Sequence, residues 1–89
     1  MTTEERGKHM EKVTVWTNDF SWGSANGYRS EAVDEVDEAL ADGKAVRVGA
    51  DCIGHTRAAA IEYQSRKYFE SVGAEAVETD WRGTYYALA

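Results

Sequence analysis

The chain contains no proline and a single cysteine, Cys52, in 89 residues. One cysteine excludes an internal disulfide framework and any multi-cysteine zinc module, and suits a reducing compartment. Histidine is equally sparse, with His9 and His55 far apart, so no metal-ligand spacing exists and neither metal nor cofactor is expected. No apolar run approaches the roughly 20 residues of a bilayer-spanning helix. The first residues lack the apolar centre of a secretory signal, so the expectation is a cytoplasmic protein without a membrane partner. Basic residues are outnumbered ten to sixteen, giving a formal charge of −6. Without a global positive field, non-specific coating of DNA is disfavoured.

Strong apolar residues are also few. Leu40, Leu88, Ile53, Ile61, eight valines, Phe20 and Phe69 are the whole set, below the roughly 20% at which disorder becomes a concern. Three tryptophans and five tyrosines compensate, because each aromatic ring can bury about 150–250 Å². A chain this short buries only about 60–65% of its unfolded surface, which makes a homodimer the expected assembly.

Residues 1–11 are polar and without period, and are expected to form a disordered leader ahead of one domain over 12–89. Lys12 to Thr17 alternates Val13 and Val15 against Thr14 and Trp16, the period of a strand. A long loop with Phe20, Trp22, Gly23, Asn26, Gly27 and Tyr28 follows. Ser30 suits a helix cap, and Ala32, Val33, Val36, Ala39 and Leu40 recur at helical spacing up to Gly43. Lys44 to Ala50 reads as a second strand. Thr56 is the expected cap of a second helix with Ala58, Ile61, Ser65, Tyr68 or Phe69, and Val72 on its apolar face, Glu62 pairing with Arg66, and Gly73 as its stop. Ala74 to Thr79 and Thr84 to Leu88 read as a hairpin around Asp80-Trp81-Arg82-Gly83.

The resulting order, β-α-β-α-β-β, predicts an α+β, two-layer domain with a four-stranded mixed sheet and two helices. Two helices cover one face of such a sheet. By alternation, Trp16, Arg47 and Tyr85 are expected on the other face, forming an uncovered aromatic and basic surface. Exposed apolar area of this kind marks an interaction site: a homodimer face, or a platform on which single-stranded bases stack; the remaining arrangement sets helices on both sides and leaves nothing exposed.

The segment from Gly43 to Phe69, a strand ending in a Gly/Ala-rich loop and followed by an alanine-rich helix with a basic-aromatic end, resembles the Alba family of chromatin and RNA-binding proteins. It resembles the related stage V sporulation protein S family still more. The resemblance implies an Alba-like, dimeric nucleic-acid binder using the first loop, the turn into the second helix and the final hairpin. By position these are Trp22, Tyr28 and Arg29; Gly54, His55, Thr56 and Arg57; and Trp81 and Arg82, with Arg47 added from the open face. Alba-like proteins carry lysines in the first loop and a long basic hairpin arm. Here the loop has one cation and the turn sets its arginine beside Asp80, so RNA or single-stranded DNA is expected rather than duplex.

Other readings stand beside this one. The free amides at the second helix's start suit a phosphate or carboxylate, although a threonine cap with a nearby arginine is ordinary structure. Phe20, Trp22 and Tyr28 could clasp a ligand or fold back as a lid on the core. Cys52 beside Asp51 and His55 invites a thiolate mechanism, but no oxyanion hole or paired carboxylate accompanies it, so no enzyme is expected. Glu31, Asp34, Glu35, Asp37, Glu38 and Asp42 make the first helix strongly acidic. That face is either a solubility device or, as the alternative function, a surface that docks on a basic protein groove, as in inhibitors of phage or mobile-element origin. Charge divides unevenly: residues 1–44 hold ten acids and five bases, residues 45–89 six and five.

Overall fold

The computed structural model describes residues 10–23, 27–51 and 54–88. Its elements are β1 (Lys12–Thr17), α1 (Glu31–Ala41), β2 (Ala45–Ala50), α2 (His55–Ser71), β3 (Ala74–Asp80) and β4 (Gly83–Leu88). The strands form one mixed sheet in the order β1-β2-β4-β3. β1 and β2 run parallel from Lys12↔Ala45 to Thr17↔Ala50, whereas β3 and β4 form an antiparallel hairpin. The expected α+β class, with four strands in a mixed sheet and two helices, is present.

Alternation decides what is buried. Val13, Val15, Val46, Val48 and Tyr86 point to the side where Val33, Val36 and Leu40 of α1 and Ile61, Tyr68 and Phe69 of α2 converge, so both helices lie on one face. The rings of Phe69 and Tyr86 stack at 4.3 Å and tie α2 to β4. This aromatic closure offsets the shortage of leucine and isoleucine.

Local signals account for most boundaries. Ser30 stands at the N-cap of α1, but its hydroxyl bonds no helix amide. Instead its Oγ accepts from Ser21 N at 3.0 Å while its own N donates to Ser21 O at 2.9 Å, which cinches the first loop at its base. Gly54, not Thr56, stands at the N-cap of α2 and offers no side-chain cap. Gly43 and Gly73 follow the two helices at φ of 78° and 79°, the left-handed stop expected of each. The leader expected over 1–11 falls mostly outside the described residues, but Glu11 is already tied to the sheet through Ala45 N, which donates to Glu11 O at 2.8 Å.

One expectation about the uncovered face is overturned. Trp16 is 60% exposed there, whereas Tyr85 is only 1% exposed. Strand alternation does direct Tyr85 away from the valines. Lys12 then lies over its ring, with Nζ 5.2 Å from the centroid, and Arg82 reaches its hydroxyl, so long side chains roof the tyrosine without a third layer.

Candidate nucleic-acid interface

The parallel pairing puts the ends of β1 and β2 side by side. Because β4 runs antiparallel to β2 through Val46↔Tyr86, Gly83 and the hairpin tip come to that same end. The start of α2 arrives there too, since α2 follows the end of β2. Topology thus gathers most of the residues singled out from sequence.

On the open face, Trp16 pairs across to Gly49. A Cβ on Gly49 would come within 2.7 Å of the Trp16 ring, so the glycine is what lets the indole lie flat on β2. The Arg47 guanidinium stands 5.2 Å from that ring's centroid, and its Nη1 donates to the carbonyl of Arg82 at 3.4 Å. Arg82 in turn lies 4.9 Å from the centroid of Trp81, which is 87% exposed at the hairpin tip. Two exposed indoles, each faced by a guanidinium, are therefore joined through Arg47 and the hairpin backbone. Such cation–π contacts hold planar groups in place.

Asp80 organises the tip. Its Oδ1 accepts from the amides of Arg82 at 2.8 Å and Gly83 at 3.3 Å, an Asx-type turn. Burial alone would raise its pKa, but those amides and the Lys12 ammonium outweigh burial and hold it below the ordinary carboxylate value. Lys12, bonded first to Glu78 at 2.6 Å, has its pKa raised. Arg82 lowers the pKa of the Tyr85 hydroxyl, assisted by Thr14 and Arg47 and against the effect of burial.

The remaining expected site residues divide. Trp22 turns inward, its ring edge-on to Tyr68 at 5.3 Å and its Nε1 donating to Gln64 O at 3.1 Å. With Phe20 buried beside Tyr68, these two rings form a lid on the core. Tyr28 donates to Asp19 at 3.1 Å. Arg29 is spent on the acidic helix, pairing with Asp34 at 3.0 Å, with Asp37, and with the Tyr68 hydroxyl. Tyr68 also donates to Asp37. Gly54, His55, Thr56 and Arg57 are exposed at the start of α2, where Arg57 donates to Asn18 O at 2.9 Å. Between that turn and the lid runs a groove of about 740 Å³ lined by Phe20, Trp22, Thr56, Arg57, Ile61 and Gln64.

Ion pairing separates the cations. Lys12, Arg29, Lys44, Lys67 and Arg82 each meet a carboxylate; among the described residues Arg47, Arg57 and Arg66 meet none. The expected Glu62–Arg66 pair is therefore not formed, and Arg66 lies instead 5.8 Å from the Tyr63 ring centroid. On α1, Asp34 and Asp37 are paired to Arg29 and Asp42 approaches Lys44 at 4.0 Å, whereas Glu31, Glu35 and Glu38 are exposed and have no ion pair among the described residues. No group of acidic, histidine or cysteine side chains among the described residues could hold a metal. No helix among them is long and apolar enough to cross a membrane. Cys52, the centre of the thiolate reading, and Asn26 of the first loop lie outside the described residues.

The exposure of Trp16 was legible from strand alternation, and Trp81 from its place in a turn. The role of Gly49 was missed, although a glycine opposite a tryptophan in a parallel pair is the signal that would have found it. No family model matches this chain, and no curated protein or solved structure matches it either.

Proposed function

We propose that this protein is a non-catalytic binder of single-stranded nucleic acid, RNA or single-stranded DNA, whose bases stack on Trp16 and Trp81 while Arg47 and Arg82 meet the adjoining phosphates. The observation that carries this reading is the row of two exposed indoles, each backed by a guanidinium, at one end of an uncovered sheet face. Aromatic rings accept any base, and arginine adds cation–π and phosphate contacts. The net charge of −6 favours stacking over the broad phosphate contact that duplex binding needs. That the chain is an Alba-like domain acting as a cytoplasmic homodimer is part of the same proposal, and a mixed sheet of four strands with two helices on one side is compatible with the first of these in general terms.

A fluorescence titration with a single-stranded dodecamer at low salt tests it. Trp16→Ala and Trp81→Ala should each weaken binding about 10- to 100-fold, the worth of one stacked base, and duplex should bind less well. No binding of any oligonucleotide overturns the proposal.

A second reading, a protein-binding module or inhibitor acting through α1, is favoured by the exposed Glu31, Glu35 and Glu38, which have no ion pair among the described residues. It gains if oligonucleotides fail while a basic polypeptide binds and is released by reversing those three charges.

A further inference from the structure

The sheet is split at its centre. β2 extends to Ala50 and β4 begins at Gly83, yet their ladder consists of the single pair Val46↔Tyr86. Continuing that register would join Arg47 to Tyr85, Val48 to Thr84 and Gly49 to Gly83, and none of these pairs forms. A cavity of about 360 Å³ occupies the gap, with α2 as its floor. Its charged lining is Arg47 and Arg82 from the open face and Arg66 and Glu62 from α2, three cations against one anion in a chain of net charge −6.

Two of those cations, Arg47 and Arg66, have no carboxylate partner among the described residues. Moreover, the Nε of Arg47 is buried and donates to nothing. A buried guanidinium N–H without an acceptor is costly. The Cδ bonded to that nitrogen lies 3.3 Å from where a Cβ on Gly83 would stand, so the Arg47 stem crosses the gap beside Gly83, and both residues line the cavity. The volume lies at the lower end of the range for small-ligand sites, about 300–1,000 Å³, which suits a compact group rather than an inserted strand. Guanidinium forks match oxyanions of tetrahedral or planar shape, and backbone N–H groups of strands left unpaired add donors of the same kind.

We infer that the gap between β2 and β4 is a phosphate-binding site, in which Arg47, Arg66 and Arg82 converge on one phosphate group. This goes beyond the stacking of bases on Trp16 and Trp81, because a free phosphate would be held there with no base present.

The test is a titration of the full chain with inorganic phosphate at constant ionic strength, followed by amide NMR. Saturable shifts at Gly49, Gly83 and Thr84 are expected, weakened about tenfold or more in Arg66→Gln, as for loss of one charged hydrogen-bond donor. Arg66 is exposed on the surface of α2, so the variant keeps the fold. Absence of saturable shifts, equal shifts with chloride alone, or unchanged phosphate affinity in Arg66→Gln would each overturn the inference, whatever the oligonucleotide result. The source of the phosphate is read in parallel arms with a nucleoside 5′-monophosphate and the dodecamer. A parallel loss of dodecamer affinity in Arg66→Gln assigns the site to a strand's backbone, and a loss confined to the free phosphates assigns it to a small phosphorylated ligand.

Discussion

Arg29 and Arg47 have the same chemistry, and each lies against an aromatic ring, Tyr68 at 5.7 Å and Trp16 at 5.2 Å. Their surroundings differ. Arg29 is gripped by Asp34, Asp37 and the Tyr68 hydroxyl, so it acts as the clasp between the first loop, α1 and α2. Among the described residues Arg47 meets no carboxylate; it reaches the Arg82 carbonyl and the Tyr85 hydroxyl, and its Nε is unbonded. The acid-rich side of the molecule thus consumes Arg29 in holding the fold, whereas the hairpin end, where Lys12 and Arg82 meet Glu78 and Asp80, leaves Arg47 without a carboxylate among the described residues. Local neutrality, rather than the count of basic residues, decides where an acidic protein can meet an anion.

The largest effect should come from breaking this contrast at the tryptophans. Trp22 lies half-buried on Tyr68 with its indole N–H bonded, so Trp22→Ala should cost about 2–3 kcal/mol of stability, somewhat below the range for a fully buried ring. Trp16→Ala removes a ring already in solvent and should change stability by no more than about 0.5 kcal/mol. Chemical denaturation of the two variants measures the difference. Equal losses would mean that the Trp16 ring is a structural element and that the two regions are not distinct.

A smaller separation is expected for the arginines. Arg29→Gln should lower the thermal midpoint and leave the dodecamer titration unchanged, because its partners are internal. Arg47→Gln should act on the titration instead, lowering affinity and reducing the slope of log affinity against log salt by about 1, the signature of one lost phosphate contact. A thermal melt and a salt series on both variants read this directly.

Much of the fold was legible because it rests on short-range rules. The valine alternation in β1 and β2, the α1 stripe from Ala32 to Leu40, and the stops at Gly43 and Gly73 are read within a few residues of themselves. The site was legible only in part. Trp16 and Trp81 announce themselves by strand parity and turn position, but the burial of Tyr85 depends on Lys12, Arg47 and Arg82 arriving from three other segments. The grip on Arg29 is local where Asp34 and Asp37 stand five and eight residues further on, and tertiary only at the Tyr68 hydroxyl. Gly54 takes the cap position from Thr56 with φ at 121°, a conformation that threonine rarely adopts. The break in the β2–β4 ladder has no local sequence signature, since it concerns strands more than thirty residues apart.

The finest probe of the two environments is the ionisation of their tyrosines. On the acidic side, burial and the Asp37 carboxylate raise the pKa of Tyr68 despite the opposing Arg29, and Asp19 raises that of Tyr28. At the hairpin end Arg82 lowers the pKa of Tyr85. Linkage then requires opposite signs in the alkaline range. A hydroxyl whose folded pKa is raised holds its proton longer folded than unfolded, so the stability that Tyr68 contributes is complete below the unfolded value of 10.0 and is lost as pH climbs through its folded value. Tyr85 releases its proton earlier when folded, so its contribution is present above 10.0 and lost as pH falls through its lower folded value. An ultraviolet titration should therefore show an early phenolate absent from Tyr85→Phe and delayed in Arg82→Gln. Tyr68→Phe should instead remove part of the late phase. If Arg82→Gln left the early phase in place, the guanidinium would not be what sets the field at the hairpin end, and the electrostatic distinction between the two regions would fail there.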